Sequence, residues 1–230
     1  VISHANVQLK KVQSVENPNY LFLDLLLADD MAATTVNIDL LKGNKIVKRI
    51  EYAFLDREAG LTANGFDSSD VMYLITPDRF ANGDKTNDIN PMLIEKRIDR
   101  SDNYARHGGD IQGIINHLDY ISEMGFTALW STPLLLNDMP SQSYHGYAIT
   151  DLYSIDPRFG TLNEYIDLAK KTRQKGMKLI MDQVANHCGL NHWWMQDLPF
   201  SDWINHQQAF ENGKPIVQSN HSIVIIVQSN

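Results

Sequence analysis

Three short apolar runs alternate with two stretches of helical periodicity after residue 66, and this alternation restricts the fold more than any other feature. The runs are 71–76, 126–132 and 177–184, and a proline closes each of the first two. Continuous apolar runs of this length are typical of strands buried on both faces. The order β-α-β-α-β predicts a parallel sheet with right-handed crossovers.

The segments between these runs have the spacing of amphipathic helices. The first predicted helix precedes Gly125 and has its apolar face at Ile111, Ile114, Ile115, Leu118 and Ile121. The second begins near Asn163 and ends at Gly176, with Tyr165, Leu168, Ala169 and Thr172 on one face. Two long loops, 82–109 and 134–161, follow the carboxyl ends of the first two strands, where α/β folds place their binding sites.

The first 66 residues have a different pattern, in which apolar residues mostly alternate with polar ones. This is the period of half-buried strands, as in Val36, Ile38 and Leu40 or in Ile46, Ile50 and Tyr52. Residues 42–45 have the composition of a hairpin connection. The pattern predicts a small antiparallel β-sandwich with four or five strands, whereas an immunoglobulin-like domain normally has about seven.

Composition excludes several classes of protein. The net charge of −8 argues against a nucleic-acid partner, and the 43% of hydrophobic residues is the proportion of a globular chain. No apolar run approaches the roughly 18 residues of a membrane span. The single cysteine, Cys188, cannot form an internal disulfide, which leaves the cellular compartment open.

A cluster of short oxygen-bearing side chains lies in the first long loop. Asn82, Asp84, Asn87 and Asp88 fall within seven residues, and Gly108 and Asp110 follow some twenty residues later. Calcium favours six to eight hard oxygen ligands of this kind. A solvated turn rich in side-chain hydrogen bonds is the simpler interpretation of the composition alone, and Asp110 could equally cap the following helix.

Two further motifs contain aromatic, imidazole and carboxylate groups. His145 and Tyr147 lie in the second long loop, where an aromatic face beside a histidine suits a sugar or an ordinary packed loop. Asp182, Asn186 and His187 are predicted at the end of the third strand, where polar residues indicate either a site or a hydrogen-bonded loop. Alternation along this strand, which is expected to end before His187, points Asp182, Val184 and Asn186 to one side.

Two weaker sets lie near the third motif. His187, Cys188 and His192 do not have the usual spacing of zinc ligands. Trp193, Trp194 and Trp203 are compatible with stacking on sugar rings or with an ordinary core.

Taken in order, the segments 73–84, 145–147 and 182–187 resemble the α-amylase superfamily, glycoside hydrolase family 13. The β-rich region before them makes the chain most similar to the neopullulanase and cyclomaltodextrinase branch, over about residues 15–215. The resemblance implies an N-terminal immunoglobulin-like β-sandwich at 1–66 and the first three βα units of a (β/α)8 TIM barrel at 67–187. The start of the insertion after the third barrel strand would then occupy 188–230.

The resemblance also implies an activity, that of a retaining α-glucan hydrolase acting on starch, pullulan or cyclodextrins. Tyr147 matches the aromatic residue that stacks on the sugar, and His145 and His187 match histidines that bind its hydroxyls. Asp182 matches a buried aspartate that organises the site around the nucleophile. A transglycosylase or branching enzyme of the same family is the alternative, and a carbohydrate-binding protein without catalysis is the rival outside enzymology.

For the first loop, the resemblance favours calcium as the cofactor, with the ligands Asn82, Asp84, Asn87, Asp88, Gly108 and Asp110. The expected partner is an α-glucan oligosaccharide or polysaccharide, and the branch allows a homodimer of the complete enzyme. A periplasmic or secreted location is expected, with the cytoplasm as the alternative.

The chain departs from the family pattern in two ways. No arginine follows Arg173, so the sequence contexts of the nucleophile and the acid/base are missing. Both are expected beyond Asn230, which makes the chain an N-terminal fragment without activity of its own. Residues 222–230 do not resemble the family, and the sequence 216–220 is repeated at 226–230.

Overall fold

The computed structural model describes residues 1–56, 65–205 and 225–226. The chain divides into two compact units, one containing the four N-terminal strands and the other the α/β part. Residues 222–230, which do not resemble the family, therefore lie outside the described residues, except for Ile225 and Ile226.

The N-terminal unit consists of two antiparallel ladders. They are formed by β1 (Val7–Ser14) with β2 (Leu21–Leu27) and by β3 (Thr34–Lys42) with β4 (Lys45–Phe54). The hairpin prediction for 42–45 is confirmed, because Lys42 pairs directly with Lys45. An isolated antiparallel bridge joins Ile2 to Ile38.

Burial in this unit is uneven. The buried apolar side chains are Val7, Val36 and Ile38, which confirms the alternation predicted for β3. The prediction of a half-buried β4 is wrong: Ile46, Ile50 and Tyr52 are all at least 40% exposed. The alternating pattern predicts a strand but not how far its side chains are covered: Ile50 and Tyr52 pair with the buried Ile38 and Val36 and are themselves exposed.

The α/β unit is built on a three-stranded parallel sheet. Its strands are β5 (Met72–Ile75), β6 (Ala128–Ser131) and β9 (Lys178–Met181), in the order β5-β6-β9. Four helices lie between them: α1 (Pro77–Phe80), α2 (Ile111–Asn116), α3 (Leu118–Glu123) and α4 (Leu162–Gln174). The parallel sheet and its helical crossovers confirm the predicted α/β order.

Two further antiparallel strand pairs form in this unit, one between β6 and β9 in the sequence and one after β9. They are β7 (Leu135–Leu136) with β8 (Asp151–Ile155) and β10 (His187–Cys188) with β11 (Ile225–Ile226). The main core lies between the parallel sheet and α2, α3 and α4, and its fully buried members include Ile111, Ile114, Ile121, Leu129 and Leu168.

The helices agree with the prediction except at one point. A capping box formed by Thr161 and Glu164 starts α4. The single helix predicted around Ile111–Ile121 is instead two short helices that meet at His117. The His117 ring bonds to the carbonyl of Gly113, so the backbone N–H of His117 turns to Ile114. This side-chain bond replaces the helical one and breaks the helix.

Candidate active site

Asp182 joins two aromatic side chains at the carboxyl end of the parallel sheet. Its Oδ2 accepts hydrogen bonds from Trp130 Nε1 at 3.2 Å and from Tyr147 Oη at 2.8 Å. Trp130 belongs to β6, and Asp182 directly follows β9. Because parallel strands end at one edge of their sheet, residues 52 positions apart can contact each other here.

The predicted alternation of Asp182, Val184 and Asn186 along a strand is wrong. The strand ends at Met181, so all three residues lie beyond the ladder. Apolar character continues to Val184 because this side chain is buried in a second small cluster with Leu135 and Ile149. Asp182 nevertheless reaches the sheet edge, through its bond to Trp130.

Tyr147 is 36% exposed, and its hydroxyl is directed at the Asp182 carboxylate. Loss of solvent, together with the bond to Asp182 and its negative charge, raises the pKa of Tyr147 to about 12. The phenol is therefore a proton donor over the whole physiological range. Its ring keeps an exposed part that could contact a ligand.

His145 packs against Tyr147 on the same loop. The two rings are stacked with centroids 6.0 Å apart, and His145 Nδ1 accepts a hydrogen bond from the backbone N–H of Tyr147 at 2.9 Å. Partial burial lowers the pKa of His145 below 6.5, against the opposing charge of Glu95. The imidazole is therefore neutral near pH 7, with Nε2 as its proton-bearing atom.

His187 completes the group. Its Nε2 lies 2.8 Å from the carbonyl oxygen of Tyr147, and its Nδ1 lies 3.2 Å from the side-chain nitrogen of Asn186. The carbonyl can only accept and the amide nitrogen can only donate, which fixes the proton on Nε2. All four residues predicted to bind substrate, His145, Tyr147, Asp182 and His187, are thus brought together by direct contacts.

The structure also shows where the two weaker sets of the sequence lie. Cys188 and His192 are both buried, and among the described residues no group of three or more His, Cys, Asp or Glu side chains could hold a metal ion. Trp194 packs edge-on against Trp203 at 5.3 Å and lies beside Trp193 at 5.6 Å, so these tryptophans form one aromatic cluster.

The sequence did not predict how the loop carrying His145 and Tyr147 is held. Ser143–His145 forms a single 3-10 turn, preceded by Gln142 with φ of +57° and followed by Gly146 with φ of +84°. A side chain at Gly146 would overlap with the carbonyl oxygen of Pro133. The turn is therefore packed tightly at its end and conformationally strained at its start.

A buried ionic network underlies this turn. Arg158 and Asp156, both fully buried, form a bidentate pair at 2.9 and 2.7 Å, and Glu95 accepts hydrogen bonds from the turn itself. Asp156 and Arg158 belong to the second long loop that the sequence predicts, but Glu95 carries no local signal. It lies in a long loop and has no motif around it.

Of the residues proposed for the metal, Asn82, Asp88 and Gly108 contact one another in the first loop, whereas the carboxylates of Asp84, Asp88 and Asp110 do not form a group of three that could hold an ion. Asn82 donates to Asp88 Oδ1 at 2.6 Å, and a side chain at Gly108 would collide with both. The side-chain oxygens of Asn82 and Asn87 are buried without a hydrogen-bond partner among the described residues. Buried amide oxygens without partners are costly unless something binds them, and a hard cation would do so.

Asp110 connects the first loop to α2. Its carboxylate accepts hydrogen bonds from the backbone N–H groups of Gly83, Asp84 and Gly113, at 3.1, 2.8 and 2.6 Å. The bond to Gly113 is the helix cap that the sequence allowed as an alternative. The other two bonds attach the loop to the start of α2, so Asp110 orders the loop.

Comparison with known proteins decides the family. A family model described as the catalytic domain of alpha amylase matches residues 74–219. The chain belongs to the α-amylase family. A second model, the N-terminal domain of cyclomaltodextrinase, matches residues 1–58.

Several members of the α-amylase family are similar to this chain. A cyclomaltodextrinase from Thermoanaerobacter pseudethanolicus and neopullulanase 2 from Thermoactinomyces vulgaris are each 35% identical over 161 residues. Each alignment covers 67% of this chain and 27% of the relative. The chain thus spans about a quarter of the length of these curated relatives.

A solved structure agrees with this assignment. The crystal structure of an Anoxybacillus alpha-amylase superposes with a TM-score of 0.53 at 45% identity, covering 59% of this chain and 28% of that one.

No helix among the described residues is long and apolar enough to cross a membrane.

Proposed function

We propose that the protein containing this chain hydrolyses α-glucosidic bonds in α-glucans such as cyclodextrins, pullulan or starch fragments. The observation that carries the proposal is the convergence of His145, Tyr147, Asp182 and His187 at the carboxyl edge of the parallel sheet. The similarity to proteins named cyclomaltodextrinase and neopullulanase supports hydrolysis as the reaction. In this proposal the N-terminal ladders belong to an immunoglobulin-like sandwich, and the parallel sheet is the first part of a (β/α)8 barrel.

Each of the four residues has a role that its geometry allows. The exposed part of the Tyr147 ring stacks on a sugar face, and His145 Nε2 donates to a sugar hydroxyl. Asp182 orients Tyr147 through the 2.8 Å bond to its hydroxyl. The proton on His187 Nε2 points at the Tyr147 carbonyl, so His187 binds a sugar only after releasing this bond.

Retention at the anomeric carbon requires two carboxyl groups about 5 Å apart, one as nucleophile and one as acid/base. The matched motifs of this chain assign neither role. Asp182 accepts two hydrogen bonds and is a positioning residue. The four residues described here bind and orient the sugar on which the two carboxyl groups act.

The test is an assay of the complete gene product. Purified protein is incubated with β-cyclodextrin, pullulan and soluble starch, and new reducing ends are measured, while NMR of the first product identifies the anomer. We expect turnover with retention, and a Tyr147→Ala variant with strongly lowered kcat/KM beside an unaffected Tyr153→Ala control at an 88% exposed position. A folded complete protein that releases no reducing ends from any of the three would refute the proposal.

We further propose that calcium binds at the first loop, through Asn82, Asp84, Asn87, Asp88, Gly108 and Asp110. The unpartnered buried oxygens of Asn82 and Asn87 support this choice, because both are hard ligands. Bound calcium would hold the loop against the start of α2 and take no part in bond cleavage. The dimer and the periplasmic or secreted location stay predictions.

A further inference from the structure

Glu95 lies under the turn that carries the sugar-binding residues. The residue is only 7% exposed, and its two carboxylate oxygens accept hydrogen bonds from the backbone N–H groups of Gln142 at 3.1 Å and Ser143 at 2.8 Å. These two N–H groups open the 3-10 turn Ser143–His145. One carboxylate therefore fixes the start of the segment that leads to Tyr147.

The bonds from Glu95 fall where the backbone needs support. Gln142 is the one non-glycine residue with positive φ among the described residues. A left-handed conformation is unfavourable for a residue with a side chain and persists when its surroundings hold it. Glu95 supplies such restraint at the strained residue itself.

Glu95 is in turn held in place by Arg158. The Arg158 Nη1 donates to the carbonyl oxygen of Glu95 at 3.1 Å, while Nε and Nη2 form the bidentate pair with Asp156. Arg106, also buried, donates to Ser143 Oγ at 3.2 Å. The restraint on the turn therefore extends into buried groups from three separate segments of the chain.

We propose that Glu95 is a positioning residue for the sugar site, which keeps His145 and Tyr147 in their binding geometry. The proposal rests on the proposed function, since it assigns Glu95 to the same site. The link is electrostatic as well as mechanical, because the negative charge of Glu95 raises the pKa of His145 against the larger effect of burial.

The test compares Glu95→Gln with wild type in the complete protein. Glutamine has the same size, but its amide nitrogen cannot accept a hydrogen bond, so one of the two N–H groups loses its acceptor. Because small displacements of positioning groups cost large factors in rate, we expect kcat/KM on maltooligosaccharides to fall about 10-fold to 100-fold. The matched control is Glu164→Gln, which changes a second N–H-accepting glutamate, at the start of α4.

A double-mutant cycle separates positioning from a general structural role. If Glu95 acts by positioning His145 and Tyr147, then Glu95→Gln in a background carrying both His145→Ala and Tyr147→Ala should change kcat/KM by less than about twofold. A purely structural role would cost the same factor in both backgrounds. Circular dichroism verifies that each variant folds. If Glu95→Gln does not fold, Glu95→Asp replaces it in the cycle, because aspartate keeps the negative charge on a side chain that is one methylene shorter.

The outcomes distinguish this proposal from the proposed function. An inactive wild type contradicts the function. An active wild type in which Glu95→Gln stays within about twofold, or in which the cycle shows no coupling, overturns the positioning role alone.

Discussion

At the scale of single residues, the site depends on one oxygen atom. Asp182 Oδ2 accepts from both Trp130 and Tyr147, so the orientation of two aromatic rings depends on a single carboxylate. Hydrogen bonds to charged acceptors are stronger than neutral ones, although solvent weakens this one because Tyr147 is 36% exposed.

This arrangement predicts a measurable coupling between Tyr147 and Asp182. In urea unfolding of the single variants Tyr147→Phe and Asp182→Asn and of the double variant, we expect a coupling free energy of about 1 kcal/mol. Tyr153→Phe, at a position 88% exposed, is the control and should leave stability unchanged. Strict additivity of the two single effects would mean that the bond contributes nothing.

A second prediction concerns His192, which is 1% exposed. Burial lowers its pKa below 6.5, against the opposing charge of Asp151. The unfolded state therefore binds a proton before the folded state does, and stability falls as the pH drops from about 6.5 towards the lower folded pKa. No stability from this group is lost above pH 7.

The variant that tests this effect is His192→Asn. In wild type, His192 Nδ1 accepts a hydrogen bond from the backbone N–H of Trp194. The side-chain oxygen of asparagine can accept the same bond, so the variant removes the titrating group but keeps the acceptor. Urea unfolding at pH 7.5 and pH 5 should give a smaller loss of stability for the variant than for wild type. The His145→Asn variant provides the comparison, since burial also lowers the pKa of His145, a residue that keeps some exposure to solvent. Equal losses in wild type and His192→Asn would contradict the prediction.

At the scale of elements, the first loop and α2 approach each other closely. A side chain at Gly113 would overlap with the carbonyl oxygen of Ala81, and one at Gly83 would overlap with the backbone of Gly113. The Asp110 carboxylate bridges the same two segments. Glycine is required here because two backbones approach each other.

Gly113→Ala should therefore destabilise the protein although it improves helix propensity. The propensity gain is about 1 kcal/mol, and overpacking costs about 1 to 3 kcal/mol, at the upper end when the obstacle is backbone. We expect a net loss of about 1 to 2 kcal/mol in urea unfolding. Gly65→Ala is the control, because an added side chain there meets none of the described residues within 4 Å. A stabilised Gly113→Ala would show that the approach is looser than described.

At the scale of the whole molecule, calcium would connect segments that are distant in sequence. The proposed ligands come from 82–88 and from Gly108 and Asp110, next to the helix that packs on the sheet. Binding to the folded state alone adds about 2.7 kcal/mol when calcium is at a hundredfold excess over Kd. For a chain of this size that corresponds to a rise in Tm of roughly 5 to 10 °C.

Thermal melts with calcium and with chelator measure this shift. We expect Asp88→Asn to remove most of it and Asp167→Asn, an exposed change on α4, to leave it intact. A Tm independent of calcium in wild type would mean that the buried amide oxygens of Asn82 and Asn87 are satisfied in another way.

The sequence alone determined the order of elements. Periodicity and end signals predicted the parallel strands, the helix ending before Gly176 and the hairpin at 42–45, because these depend on interactions within a few residues. Three motifs in order also identified the four residues that meet at the sheet edge. Their meeting follows from the parallel topology, which the strand order already implied.

Only the tertiary structure decided where a strand ends, which strand faces are covered and which distant residues meet, because local sequence patterns do not contain this information. It ended β9 at Met181 although the apolar run continues to Val184, because a side chain can be buried without belonging to a ladder. It left β4 exposed, since the pattern of one strand does not determine what covers it. It also placed Glu95 under a turn 48 residues away, where the acceptors of the N–H groups are fixed only by the path of two long loops.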